Sequence, residues 1–511
     1  MKFNIIKTGI LLACLLTCFS CNKDFLDQTD PNSVAVSEYF SSENDVLLAV
    51  NGIYQSIRSS NSMGEGSSLY TDTRSDDRST YDQSSNSGEP FQFPDFSLVA
   101  SNSYVKAHWT ALYTTVSRAN TVLSHIDEVT FSDADLKSQY TAEAKFLRAM
   151  SYFHLVRKWG AIPLVTTELT TTDQVNASTV RVAESEVYAQ IVEDLTDVVT
   201  SSLPDQQTGS DLGRVSKAAG NALLGQVYLT MATNLSDGNS QTYLTNAETY
   251  LTNAYNMRTF GELSEIAYTD VFDVDKQATC AEIILPIVYI QGDVNYSSSI
   301  AYSNQPTGET VNSQKTNSGY GGTVKHDLVN EYETSDPRKD FSIHYASATT
   351  VQDWYISKYR DISDAAGTNG YGGNYTILMR YADVVLMLAE VNMYLGDNAT
   401  AITYLNMVRT RAGMPTYETM QSDASYTSKF PTLKLAILHE RRVELAFEHH
   451  RWFDLLRFFT TDELVTFFQA KSQDDYGLAS LSNFSTKDRY FPIPYDEYTL
   501  NPTGMYQNPG Y

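Results

Sequence analysis

Apolar residues recur at intervals of three and four along most of this chain, the repeat of helices with one buried face. The densest stretch runs from Leu378 to Phe458. Its first segment, LMRYADVVLMLAEVNMYLGD, puts Leu378, Met379, Ala382, Leu386, Ala389 and Met393 on one stripe and stops at Gly396. The second, ATAITYLNMVRTRAG, stops at Gly413 and Pro415. The third, LKLAILHERRVELAFEHHRWFDLLRFF, reads as one helix with Leu433, Ala436, Ile437, Val443 and Phe447 on its apolar stripe. Glu440 falls inside that stripe, and because a buried carboxylate is costly unless paired, it is expected to meet an arginine.

The same periodicity predicts a first helix through Val46, Val50, Ile53 and Ile57, a pair over YVKAHWTALYTTVSRANTVLSHIDEV and ADLKSQYTAEAKFLRAMSYFHLVRKWG, and three more helices between Ala183 and Met257. The helix-turn-helix spacing approaches the about 34 residues of a tetratricopeptide unit. Trp109, Trp159 and Trp452 sit inside helical blocks and are expected in the core. From Arg258 to Asn374 the pattern changes to long Gly/Ser/Asn/Tyr loops, with strands expected at Glu282–Tyr289 and in WYISKYRDI. The resulting division is a helical scaffold over 41–257 and 375–470, an irregular subdomain over about 258–374, and an extended, surface-hugging tail over 471–511. The fold class is therefore all-α with a little β structure.

Composition adds an address. Lys2 and Lys7 precede an apolar run from Gly9 to Phe19, too short to span a bilayer and suited to a signal peptide over 1–20. Cys21 follows a small residue and precedes a polar tether over 21–40, as a lipid-bearing cysteine would; ordinary secretion with Cys21 unmodified is the alternative. Cys280 is then the one remaining thiol, so neither a disulfide framework nor a cysteine metal site can form. The net charge of −25 is the wrong sign for nucleic acid or an anionic membrane surface, and is compatible with a neutral ligand.

Candidate chemistry concentrates in loops. Sugar rings stack an apolar face on aromatic side chains while their hydroxyls need polar partners. The stretch SLYTDTRSDDRSTYDQ supplies both through Tyr70, Asp72, Arg74, Asp77, Arg78 and Tyr81. Tyr296, Tyr302 and Tyr320 offer the same chemistry in later loops, although tyrosines there equally serve to pin a loop to the scaffold. Trp354 lies outside the helices and either stacks on a ligand or packs as part of a strand. HERRVELAFEHH lacks the HExxH spacing of a zinc site, and its charges read as a ladder of Glu440, Glu444 and Glu448 with Arg441, Arg442 and Arg451. The aspartates from Asp72 to Asp77 could hold a structural calcium, but the EF-hand pattern is absent and no cofactor is indicated. No carboxylate pair is singled out for glycoside cleavage.

Taken together, CNKDFLDQTDPN, WTALYTTVSRANTVL, AEAKFLRAMSYFHLVRKWGAIPLV, GRVSKAAGNALLGQVYL, DPRKD, RYADVVLMLAEVNMYLGD, LNMVRTRAG, ERRVELAFEHHRWFDLLRF, PIPYDE and the terminal QNPGY resemble the SusD/RagB family of outer-membrane lipoproteins, in that family's order. The resemblance implies about four tetratricopeptide-like helix pairs under an irregular ligand-binding subdomain. It also implies a lipid-anchored, surface-exposed location at the outer membrane and a SusC-like TonB-dependent transporter as partner. A non-catalytic role in capturing glycans follows from the same resemblance, with peptides as the alternative ligand and a glycan-cleaving enzyme as the more remote one.

Overall fold

Short polar side chains fix where the helices begin, each accepting a hydrogen bond from an amide that the first turn leaves unpaired. Ser42 caps α1 (Glu43–Ile57), Asn102 caps α2 (Ser103–His125) and Asp133 caps α3 (Ala134–Trp159). They are followed by α4 (Glu184–Thr200), α5 (Lys217–Asn234), α6 (Ser240–Asn256), α7 (Tyr381–Leu395) and α8 (Asn398–Arg411). Gly396 ends α7 in the left-handed conformation, at φ 88°, as its position predicts. This computed structural model describes residues 39–306, 308–309, 322–347 and 351–511.

Helices α1 to α8 pack on one another in chain order, as four successive pairs. Val46, Val50, Ile53 and Ile57 of α1 enter a continuous core with Trp109 and Trp159. Where α5 meets α6 the approach is close enough that a Cβ on Gly225 would lie 2.6 Å from Leu251 Cγ and 3.1 Å from its amide nitrogen. Gly225→Val should therefore destabilise the fold by about 1–3 kcal/mol, read as a lower denaturant midpoint.

The expected strands appear as β4 (Ile283–Ile287) and β7 (Asp353–Ile356), the second shorter than predicted. β4 pairs antiparallel with β8 (Thr376–Arg380), which leads directly into α7. β7 belongs to a four-stranded antiparallel sheet whose other members are β1 (Arg78–Ser79), β5 (Thr323–Val324) and β6 (Ile343–Ala346), in the order β1-β5-β7-β6. A further two-stranded ribbon joins β2 (Ile162–Pro163) to β3 (Arg181–Val182). A second core, including Tyr268, Phe272, Val324, Tyr359 and Phe447, underlies the irregular region. A third gathers Phe96, Trp452, Phe468, Tyr476 and Phe484.

The third segment of the opening stretch is broken, contrary to its periodicity. It forms α9 (Leu433–Glu444) and α10 (Arg451–Phe458), with α11 (Thr461–Gln469) following beyond it, and between the first two Phe447 and His449 take φ of 65° and 68°. Carbonyls released by the break find partners from elsewhere in the fold. Glu444 O accepts from Arg380 at 3.0 Å, Ala446 O from Lys358 Nζ at 2.9 Å and Phe447 O from the Tyr359 hydroxyl at 2.9 Å. These substitutes offset the strain of two non-glycine residues in the left-handed region.

Glu440 does meet arginine, Arg338 at 2.6 Å and Arg409 at 2.9 Å. The ladder within the helix does not form. Glu444 instead pairs with Arg338, Arg380 and Arg411, and Glu448 with Arg380 and Lys358. Arg441 turns to Asp383 and Asp454, Arg442 to Asp76, Asp77 and Asp327, and Arg451 to Asp76. Neighbours three and four apart pair on a solvated helix face, but α9 is enclosed, so its partners come from the elements that surround it.

The tail also departs from expectation. Tyr495–Leu500 is helical, and Phe491, Ile493 and Met505 are buried in the main core. Buried Asn508 donates to the carbonyls of Trp159 and Phe491, which ties the chain's end to the end of α3.

Candidate functional site

The segment after α1 turns sharply, since a Cβ on Gly64 would sit 2.0 Å from the Arg58 carbonyl oxygen. A 3-10 turn over Glu65–Tyr70 then carries the chain inward. Tyr70 lies against His108, ring centroids 3.9 Å apart, and donates to Asn61. Asp72 accepts from the His449 amide, and burial beside Asp77 pushes its carboxyl up to about 8. Arg74 is enclosed by the rings of Phe96, Trp452 and Phe491 and bonds to Asp488. Asp77 pairs with Arg442 at 2.8 Å. Tyr70, Asp72, Arg74 and Asp77 are all buried, so these four leave the ligand-contact set predicted from sequence. An alternation of tyrosine, acid and arginine serves a sugar or a buried ion-pair net equally well. The partners that decide between them, Arg442 and Asp488, lie several hundred residues along the chain.

The same observations exclude calcium in this loop, because Arg442, Arg451 and Lys471 supply the positive charge on Asp76, whose carboxyl they hold well below the usual range. Glu333, His439 and Glu440 also converge, with ligand-type atoms within 4.8 Å of one another. Arg409 donates to both carboxylates there and Arg338 to Glu440, so guanidinium groups hold the position a cation would take.

After Asp77 the chain surfaces again. Arg78, Ser79 and Thr80 form one wall of a groove of about 490 Å³, with Ser60, Glu65, Ser68 and Thr73 beside them and Ser299, Ile300, Ser303 and Asn304 opposite. Glu65 holds the walls together by accepting from Ser298 Oγ, Ser299 N and Ser299 Oγ, each at 2.7 Å. Two residues before Ser298 in the chain, Tyr296 is exposed with the Arg58 guanidinium 5.1 Å from its ring centroid. Tyr302 is half-buried, close to Gly370. Tyr81 donates to Asp353. Trp354 is half-buried and meets the exposed Tyr345 edge to face at 5.6 Å, with Lys339 over its ring. Tyr345 and Trp354 are cross-strand partners in the sheet that also contains Arg78.

The structure thus brings Arg78, Tyr81 and Trp354 together through the four-stranded sheet, Tyr81 by its bond to Asp353, while Tyr302 adjoins the groove residue Ser303 in the chain. Tyr320 and Cys21 lie outside the described residues. Sequence reasoning missed Glu65, Asn304 and Tyr345, which carry no motif; strand alternation would have put Tyr345 on the face of buried Ile343, whereas it is exposed. A larger cavity of about 710 Å³ is bordered by Phe430, Leu438, Phe459 and Phe467 together with Thr432, Thr466, Lys434 and Asp462, and contains none of the ligand-contact residues expected from sequence.

Two family models match this chain: one described as "SusD family" over residues 343–511, and one described as "Starch-binding associating with outer membrane" over residues 24–229. The chain belongs to the SusD/RagB family. "SusD-like protein P2" of Formosa agariphila is 27% identical over 97% of this chain and 98% of its own length. Among solved structures, a "Laminarin binding SusD-like protein" superposes with a TM-score of 0.71 at 24% identity, covering 92% of this chain and all of that one. "Surface glycan-binding protein A from Bacteroides thetaiotaomicron in complex with laminarihexaose" gives 0.75 at 20% identity, with 92% and 100% coverage. This SusD-like fold is mostly helical, as the periodicity predicted, and no described helix is long and apolar enough to cross a membrane.

Proposed function

We propose that this protein is a non-catalytic, surface-exposed lipoprotein that captures glycan at the groove between residues 60–80 and 299–304 and delivers it to a SusC-like TonB-dependent transporter. Its lipid is attached to Cys21, which anchors it in the outer membrane. The observation that carries the reading is the groove itself, lined by Ser60, Ser68, Thr73, Thr80, Ser299 and Ser303, in a chain of SusD/RagB membership, with the exposed Tyr296 two residues from the Ser298 that bonds to the groove's Glu65. Laminarin and laminarihexaose in the names of two structural neighbours support glycan as the ligand class. Tyr81, Tyr302 and the Trp354–Tyr345 pair extend the aromatic surface from the groove across the adjoining sheet.

Affinity electrophoresis in polysaccharide-containing gels tests capture. Tyr296→Ala should weaken retention about tenfold, the scale expected for one lost stacking contact, with an unchanged melting temperature because the ring is exposed. Retention equal to that of the parent protein would remove Tyr296 from the site. New reducing ends accumulating at catalytic turnover would overturn the non-catalytic role.

A further inference from the structure

The arginines beside the groove narrow the ligand further, on the footing of the glycan-binding reading above. Most buried arginines of this acid-rich chain pair with carboxylates; Arg157 and Arg181, which do not, lie away from the groove and are held by backbone carbonyls and aromatic rings. Arg338 meets Asp336, Glu440 and Glu444, and Arg380 meets Glu282, Glu444 and Glu448. Arg78 has no carboxylate within ion-pair distance among the described residues, and its Nη1 donates to the neutral Ser68 hydroxyl at 2.7 Å. Protein atoms enclose its guanidinium, and this burial pulls the group's pKa down, yet the side chain keeps partial access to the groove. The acid behind it, Asp72, is a weakened counter-charge, because burial pushes its carboxyl up to about 8.

Arg58 repeats the imbalance: it lies between the rings of Tyr289 and Tyr296 with no ion-pair partner among the described residues, and its Nε is buried without a hydrogen-bond partner. Asn304, 4% exposed and on the groove wall, has an unpartnered Oδ1, an acceptor suited to a sugar hydroxyl. The groove's carboxylate, Glu65, already accepts three hydrogen bonds from Ser298 and Ser299. Desolvating an arginine without a counter-charge is expensive, and 61 acidic residues were available to supply one.

We infer that the groove takes an acidic glycan, receiving an anionic substituent, carboxylate or sulfate, on the Arg78 guanidinium, with a sugar hydroxyl donating to Asn304 Oδ1. The net charge of −25 does not oppose this at contact range, since screening confines long-range repulsion to about 8 Å at physiological salt.

The test uses the purified full chain in gels containing polygalacturonate, its carboxyl-reduced derivative, a sulfated galactan, its desulfated form, or neutral laminarin. One charged polymer should be retained at least about tenfold more strongly than its neutralised derivative, the scale of a charge-assisted hydrogen bond. The polygalacturonate and galactan arms distinguish carboxylate from sulfate. Arg78→Met should abolish the difference, and Asn304→Asp, which adds a negative charge to the wall, should reduce it, with melting temperature checking the fold of each. Retention of neutral polymers alone, or equal retention of charged and neutralised forms, overturns the acidic-glycan inference and leaves glycan capture standing. Retention of no polymer overturns both.

Discussion

Replacing Arg380 with methionine is expected to lower the unfolding free energy by about 3–5 kcal/mol, the range for a buried ion pair that loses one partner. Arg380 is 1% exposed and reaches Glu282, Glu444 and Glu448 at 2.6–2.7 Å, with a further bond to the Glu444 carbonyl. Without it, Glu448 retains Lys358 and Glu444 retains Arg338 and Arg411, but each buried carboxylate is left short of positive charge. The carbonyl released at the break between α9 and α10 also loses its guanidinium donor. Denaturant unfolding followed by circular dichroism measures the effect, with Lys137→Met as control. Lys137 pairs with the exposed Asp127, and its loss should change stability by no more than about 0.5 kcal/mol. A change of that small size in Arg380→Met would show that the buried network does not hold the break together.

Stability should also fall steeply in acid, in two stages. Arg380 and Lys358 hold the Glu448 carboxyl at about 2, and Arg441 and Arg457 hold Asp454 at about 2, although burial opposes both shifts. Each folded pKa lies below its unfolded value of about 4, so the folded state binds fewer protons. The stabilisation is present above that value and lost as pH falls toward 2, on the order of 3 kcal/mol per group. The buried imidazoles act earlier. Burial and neighbouring positive groups bring His449 down to about 3 and hold His108 and His154 well below the ordinary range, so their contribution declines as pH falls below about 6.5. Asp72 works in the other direction: its raised pKa stabilises the acid side and is lost as pH rises through about 8. Denaturant midpoints between pH 8 and pH 2.5 should therefore show a decline below pH 6.5 that steepens below pH 4.5, where the carboxylates add to the imidazoles. A flat profile from pH 6 to pH 3 would contradict the network's role.

The helical scaffold was legible because its signals are local. Caps at Ser42, Asn102 and Asp133, stops at Gly396 and Gly413, and apolar spacing such as Val46, Val50, Ile53 and Ile57 each act within a turn or two of chain. Glu440 shows where such reasoning reaches its limit. Its place on an apolar stripe predicted an arginine partner, yet Arg338 lies 102 residues away and no local pattern names it.

By itself, the sequence determined an all-α chain of helix pairs with tryptophans in the core, an interruption by irregular loops, and membership of the SusD/RagB family through ordered motifs. Tertiary structure decided which polar residues are buried and which are available. Tyr70, Asp72, Arg74 and Asp77 share composition with Arg78 and Tyr81, but long-range partners draw the first four inside and leave the last two beside open surface. Burial depends on the whole fold, whereas periodicity records only one element's preferred face. The same physics broke the third segment of the opening stretch, where Lys358, Tyr359 and Arg380 hold carbonyls that a continuous helix would have kept for itself.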